Sequence, residues 1–536
     1  MVKKGADKGK SSTTAQSQPE IQANLKFELT RRRRLRSACR PKYTTAWAIS
    51  DKESSRLLRA VNRQARRRKL ECVFDSPSGA RGRSEMWRRR RTSRPPAPNR
   101  RPSWRSLLAA AGASLAALVG TMGAPARAED NAVSLAKQKS LTDTPGGPKD
   151  QLRKFGIDVD VWITQFYQGI TAGAIDRTAR YGGKMDMFLR VDGEKLGFWK
   201  GLKFNAQYEH YFGRNLNRQD LALLPVNVAQ AFIEIDGYHS ALSMTLTQEL
   251  SEDLSVTIGK FNMLTLAAQT PLVGGGGIDT FMNRAFALPS TGIGVSSPES
   301  VADRLIIAPP YLLGGVAALK TKYFDLRVMV ADPRNAQQAR VITRPFERGV
   351  GAGLMASVPI EIGGLNGYHT LRVAYSNARG FDLDDIGETR QSIARLRGLT
   401  KKGFWFVSYA VQQYLMQSET DPKLGWGLFT LATLSDGNPN PVRWSMIVGL
   451  AGYNLMAGRE DDRWGVGFYH YGLTQPLLSG LAARRINRRS EGGVEAFYNF
   501  AVTRWLRLSG DVQIIDPWNP LRARASYLGL RLQTIF

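Results

Sequence analysis

From residue 157 to residue 536, apolar and polar side chains alternate in segments of about ten residues, broken by clusters of Gly, Asp, Asn and Pro. Successive side chains of a strand leave on opposite faces, so a period of two makes a ribbon with one apolar and one polar face. In 157–164, Ile157, Val159, Val161 and Ile163 oppose Asp158, Asp160, Trp162 and Thr164. In 202–211, Leu202, Phe204, Ala206 and Tyr208 oppose Lys203, Asn205, Gln207, Glu209 and Tyr211. The pattern returns in 323–330, where Phe324, Leu326, Val328 and Val330 oppose Tyr323, Asp325, Arg327 and Met329. Near the end, Leu506, Leu508, Val512 and Ile514 oppose Trp505, Arg507, Ser509, Asp511 and Gln513, and Leu528, Leu530, Leu532 and Phe536 oppose Tyr527, Arg531 and Gln533.

A soluble sandwich alternates too, with its polar face toward outside water. Three features favour a closed barrel in a membrane. The alternation runs on without an intervening helical domain. The apolar faces often end in Tyr, Trp or Phe, as interfacial girdles do. The last strand ends on an aromatic residue, Phe536. Closure also removes the sheet edges that so many strands would otherwise expose. No stretch after residue 129 approaches the 18 apolar residues of a membrane-spanning helix.

Short connections such as Ser251-Glu252-Asp253 and Val502-Thr503-Arg504 suit periplasmic hairpins. The Gly/Pro/Asn/Arg-rich stretches 265–310, 331–350 and 380–400 suit extracellular loops, one of them a candidate to fold inward. At about 25 residues per strand and connection, the 408 residues after Ala128 make roughly 16 strands, enough to leave an aqueous channel. The expected fold is all-β, a transmembrane antiparallel barrel occupying 151–536 behind a cleaved signal segment.

Charge divides the chain. Of its 75 Lys and Arg and 46 Asp and Glu, 31 and 8 lie in residues 1–128, leaving 44 and 38 beyond. The net charge of +29 is thus +23 before residue 129 and only +6 after it. Both cysteines, Cys39 and Cys72, lie in the basic part, and a thiol-free remainder suits passage through an oxidising periplasm. A basic region from Arg88–Arg91 through Arg105 precedes a 14-residue apolar run, Leu107 to Gly120, and Ala126-Arg127-Ala128 offers a small-x-small cleavage site. The run is too short to span a bilayer, which needs about 20 residues. Residues 86–128, starting at Met86, are expected to be a signal peptide. Residues 1–85, starting at Met1, then form a basic extension without periodicity, disordered or lying upstream of the true start. Residues 129–150 form a periplasmic N-terminal segment. A nucleic-acid-binding arm is the competing reading of the basic stretch, and export would leave such an arm behind.

The residues after 140 carry a family resemblance. Leu141-Thr142-Asp143-Thr144-Pro145-Gly146-Gly147, then Leu152 and Gly156-Ile157, resembles the segment before the first strand of the carbohydrate-selective porins (OprB type), without that family's Trp. Asp192-Gly193-Glu194-Lys195-Leu196-Gly197-Phe198-Trp199-Lys200-Gly201 resembles a turn of the same family. So do Thr247-Gln248-Glu249-Leu250 and Ile258-Gly259-Lys260-Phe261-Asn262 for a hairpin. Gly493 to Phe500, Trp505-Leu506, Asp511-Val512-Gln513 and Leu528-Gly529-Leu530-Arg531 resemble its final strands, the most specific block. The resemblance covers about 140–536. It implies a 16-stranded outer-membrane barrel whose lumen favours uncharged sugars.

Gly274–Gly277 lacks the preceding strand and the Lys-Ser/Thr of a phosphate loop, so a flexible or inward-folded loop is expected there. His210, His239, His369 and His470 have no metal-ligand spacing, and no Gly-x-Ser-x-Gly elbow occurs. No catalytic residue, metal or cofactor is expected. Sugar recognition in a wet channel needs aromatic faces for C–H surfaces and Arg, amide or carboxylate groups for hydroxyls. By strand parity the inward candidates are Trp162, Lys203, Glu209, Tyr211, Glu234, Asp236, Arg327, Arg372, Gln412, Glu495, Arg507, Asp511 and Arg531. For each of them an ordinary wet wall is the competing reading, and a one-residue slip would invert a strand.

The sequence thus points to a Gram-negative outer-membrane porin passing small solutes, with mono- or oligosaccharides supplied by the resemblance. The mixed signs on the inward faces favour neutral solutes over an anion or phosphate pore. A barrel enzyme would need a clustered nucleophile and base, which the sequence does not offer. Expected partners are outer-membrane lipid and lipopolysaccharide, the barrel-assembly machinery reading Phe536, and a second copy of the chain; nucleic acid is not among them.

Overall fold

The computed structural model describes residues 135 and 137–536, apart from 174–176, 218–221, 232–238, 268–271, 275–277, 288–310, 335, 337–342 and 388–399. The readings of 1–128 as extension and signal peptide, and of Glu234 and Asp236 as inward residues, lie outside the described residues.

Sixteen strands form one closed meander: β1 (Ile157–Ala172), β2 (Ala179–Asp192), β3 (Leu202–Gly213), β4 (Ser240–Glu249), β5 (Leu254–Asn262), β6 (Tyr311–Lys320), β7 (Asp325–Ala331) and β8 (Gly351–Ile362), followed by β9 (Leu365–Phe381), β10 (Thr400–Gln417), β11 (Gly425–Ser435), β12 (Val442–Tyr453), β13 (Arg463–Leu473), β14 (Glu491–Ala501), β15 (Leu506–Asp516) and β16 (Ala525–Ile535). Every strand pairs antiparallel with its sequence neighbours, and β16 closes on β1 with Phe166 opposite Arg531. This is the expected barrel and strand number.

What separates a membrane barrel from a sandwich is which face is covered. Here Leu528 and Leu530 are each 51% exposed, while Arg531, next in the chain and on the opposite face, is 1% exposed. Leu508, Val512 and Ile514 of β15 are likewise exposed and Ser509, Asp511 and Gln513 buried. The outer face is apolar and the inner face polar, an arrangement stable only in lipid.

Connections at one end are short. Gly363 and Gly364, with φ of 61° and 79°, join β8 to β9 as a two-residue turn needing positive φ at both positions. The 250–253 turn closes with the Leu250 amide on the Leu254 carbonyl at 2.8 Å. Long loops gather at the other end: L2 (214–239), L3 (263–310), L5 (382–399), L7 (474–490) and L8 (517–524). Helix α1 (Pro148–Lys154) lies at the short-turn end beside β1, and α2 (Gln475–Ala483) lies in L7.

Candidate functional site: the lumen

L3 enters the barrel, and the wall is built to receive it. The Gln412 side chain of β10 accepts the Leu272 amide at 2.9 Å. Arg463 of β13 pairs with Asp279 at 3.0 Å. Arg531 of β16 donates to the Thr280 carbonyl at 2.7 Å, and Asn499 to that of Asp279 at 3.2 Å. Glu495 of β14 accepts the amides of Met282 and Asn283, the latter at 3.0 Å. These wall groups satisfy loop backbone that would otherwise sit unpaired away from bulk water.

The loop also brings rings. Phe281 stacks on Phe286 with centroids 4.3 Å apart and meets Phe497 and Phe429 edge-on at 4.8 and 5.6 Å. Leu383 and Ile386 of L5 and Leu477 and Leu481 of α2 join these rings and Tyr469 in one buried apolar cluster. The long-loop half of the lumen beside β11–β14 is therefore packed protein. Gly465 and Gly467 of β13 make room, since a Cβ on either would fall within 2.8 Å of a Phe281 or Phe286 ring carbon.

L2 lies on L3. The Val228 amide donates to the Met282 carbonyl at 2.8 Å and the Arg284 amide to that of Pro225 at 2.9 Å. Asn227 reaches Gln168 of β1 at 3.0 Å, and Gln513 of β15 reaches the Val226 carbonyl at 2.9 Å. The two loops are thereby tied to both sides of the β16–β1 seam.

On β2 and β3, Lys184 sits between Asp186, at 3.0 Å, and Glu209, with all three buried. Gln207 donates to Asp186 at 2.8 Å, and Asn262 at the end of β5 donates to Glu209 at 3.1 Å. Asp279 is a charge on the loop itself. Burial alone would raise its carboxyl, but the guanidiniums of Arg463, Arg507 and Arg531 hold it below its ordinary value.

The candidates from strand parity divide accordingly. Gln412, Glu495 and Arg531 face inward and hold L3. Asp511 faces inward, buried beside Gln513 at 3.0 Å. Glu209 and Tyr211 are buried around Lys184. Lys203 pairs with Glu249 near the short-turn end, and Arg507 donates to the Asp461 carbonyl there at 2.9 Å. Trp162 packs on Phe188 at 4.9 Å, half-buried.

Arg327 of β7 and Arg372 of β9 differ from the L3 anchors in staying partly exposed. Both stand opposite Met355 of β8, so the three share one inward row at mid-strand. Arg327 forks onto Asp325 at 2.7 and 3.0 Å. Arg372 is partly exposed, but one of its Nη atoms is buried and has no hydrogen-bond partner among the described residues. Thr247 and Thr257, and Ser357 and Thr370, form hydroxyl pairs at 2.9 Å on the same wall. Among the described residues Arg327, Met355, Ser357 and Arg372 stay partly open beside the buried Met329, Thr370 and Ala374, whereas the inward side chains of β13–β16 are almost all buried.

Sequence reasoning missed Lys184, Asp186, Arg463 and Asp279. Parity was available for the first two, since Lys184, Asp186, Phe188 and Arg190 alternate in 184–190; nothing local marked the partner of Arg463, 184 residues away. No group of three or more His, Cys, Asp or Glu residues among those described could hold a metal.

The sequence of residues 176–536 matches the model of the carbohydrate-selective porin, OprB family. No curated protein sequence matches. The high-pH structure of Pseudomonas putida OprB superposes with a TM-score of 0.62 at 20% identity, covering 75% of this chain and 99% of that one. The structure of Pseudomonas aeruginosa OccK8 (OprE) gives 0.38 at 9% identity, over 71% and 98%. The first shares the fold.

Proposed function

Because the chain belongs to the carbohydrate-selective porin, OprB family, and is an outer-membrane porin, we propose that mono- or oligosaccharides are its solutes and that they pass between the inward-folded L3 and the β6–β9 wall. The observation that carries this reading is the one-sidedness of the lumen. L3 is fastened to β10, β13, β14 and β16, while Arg327 and Arg372 on the far side are partly exposed. Guanidinium forks and paired Ser and Thr hydroxyls are the groups that exchange hydrogen bonds with a sugar's hydroxyls as it sheds water. The pairing of Arg327 with Asp325 tempers the field there and keeps the wall permissive to neutral solutes.

Planar-bilayer recording tests the reading. Purified protein should give channels whose current is partly blocked by added sugar, and liposomes carrying it should swell faster in sugars than in charged solutes of similar size. Strong anion selectivity without sugar block would replace the reading with an anion porin, and absence of conductance would end it. The family is a porin family, and the mature protein on this reading begins at Glu129, after removal of the signal segment.

A further inference from the structure

Loops L7 and L8 carry Arg484, Arg485, Arg488, Arg489, Arg522 and Arg524, and no Asp or Glu. They are zipped into one piece of rim. The Arg489 amide donates to the Trp518 carbonyl at 2.8 Å, its side chain reaches the Pro517 carbonyl at 3.1 Å, and the Arg488 guanidinium lies 4.5 Å over the Trp518 ring. Arg484 turns inward to the Ile386 carbonyl of L5. Arg489 pairs with Asp516 at 2.7 Å, and Asp516 shares the outward parity of Val512 and Ile514 on β15. Arg485 and Arg524 are exposed and Arg522 half-exposed, and none of the three guanidiniums meets a carboxylate among the described residues.

Directly below lie exposed apolar side chains, Ile514 and Val512 of β15 and Leu528 and Leu530 of β16, and Leu521 at the tip of L8 is 86% exposed. Cations above an apolar wall form an amphipathic site, matching a molecule with anionic heads and acyl chains better than a small soluble anion. In barrels of this kind the long loops face the cell exterior, so the site lies at the outer leaflet. We propose that the L7–L8 rim binds a phosphorylated lipid of the outer leaflet, its phosphates forked by Arg485, Arg522 and Arg524 and its chains lying along β15 and β16. Arginine suits this role because its planar fork engages phosphate bidentately and sheds water more readily than an ammonium. The proposal is separate from solute passage and rests on the outer-membrane location alone.

Native mass spectrometry of the folded protein in mild detergent, with diphosphorylated lipid A as the probe, tests it. The wild type should retain lipid A, and R485Q/R522Q/R524Q should bind it about tenfold or more weakly. R485K/R522K/R524K should fall between, since charge survives and the fork does not. Heat modifiability and single-channel conductance should match the wild type in both variants, showing that the barrel is intact. Equal wild-type binding of dephosphorylated lipid A would overturn the proposal, as would undiminished binding by the glutamine variant. Loss of anion conductance in that variant with lipid binding unchanged would assign the arginines to the solute path and overturn it too.

Discussion

Arg463 of β13 reaches into the barrel and holds Asp279 of L3 at 3.0 Å, although the two lie 184 residues apart in the chain. The same guanidinium contacts the Leu272 carbonyl at 3.4 Å and lies 4.8 Å over the Tyr453 ring. One side chain thus bridges wall and loop. Replacing Arg463 with Met should remove the bridge while keeping most of the side-chain volume. Single-channel conductance should rise and sugar block weaken, with thermal stability lowered by about 1–2 kcal/mol. A variant with unchanged conductance would show that L3 is held well enough by its other anchors.

The same pair gives a pH dependence with a definite sign. Asp279 has its carboxyl held below the ordinary value of 3.8 in the folded barrel, burial being outweighed by Arg463, Arg507 and Arg531. A group lowered on folding contributes stability above its unfolded value and loses it as pH falls through the folded value. The loop should therefore stay docked at pH 5 and loosen only below the ordinary carboxylate range. Conductance recorded against pH should be flat through mild acid and rise in strong acid, and Asp279→Asn should abolish that rise. A rise centred near neutrality would point to other groups.

The seam between β1 and β16 supplies another test. The Phe536 amide donates to the Val161 carbonyl at 2.8 Å, and Lys149 of α1 donates to the Phe536 carbonyl at 3.0 Å and to Asp160 at 2.7 Å. The Leu141 amide meets the Ile535 carbonyl at 2.8 Å. The segment before β1 therefore clasps the last strand. Deleting Phe536 should lower the folded barrel recovered from outer membranes, and Lys149→Ala should lower it less, since backbone pairing of the seam survives. Heat-modifiability gels of membrane fractions measure both. Undiminished recovery of the deletion under strong expression would count against a role in assembly.

The barrel was readable because lipid and lumen impose opposite demands on alternate residues for the whole length of every strand. Parity alone placed Trp162, Arg327, Gln412, Glu495 and Arg531 inward, and the register agrees. What parity could not show is which inward groups meet water. Glu495 and Asn283 are 212 residues apart, and only the descent of L3 turns that carboxylate from lumen wall into loop anchor. Phe281 and Phe286 read locally as loop residues near a glycine run, because the rings that surround them come from β11, β13 and β14. Sequence periodicity is a property of single strands, and a constriction is a property of several strands and two loops together.

Export gives a prediction that depends on no contact in the barrel. From the apolar run Leu107 to Gly120 and the Ala126-Arg127-Ala128 site, the mature N-terminus is expected at Glu129. N-terminal sequencing of protein extracted from outer membranes should begin there, and an intact Met1 would refute the assignment. Substituting Ala128 with a bulky residue should slow processing and leave a longer, membrane-tethered species.

Arg372 is the sharpest probe of solute passage. It shares a row with Met355 and Arg327 on the β7–β9 wall, is partly exposed, and has one buried Nη without a partner among the described residues. Arg327 differs in being forked onto Asp325. If sugars pass on this side, a hydroxyl should bind Arg372 more readily than Arg327, because Arg327 must first share its donors with a carboxylate. Arg372→Ala should weaken sugar block severalfold, a change worth about 1–1.5 kcal/mol for one charge-assisted hydrogen bond, and should widen the channel slightly. Arg327→Ala should have the smaller effect on block. It should also turn selectivity toward cations, since Asp325 would lose its counter-charge. Sugar-block titrations and reversal potentials on the two variants separate these outcomes. Wild-type block in Arg372→Ala would move the solute path to another wall of the lumen.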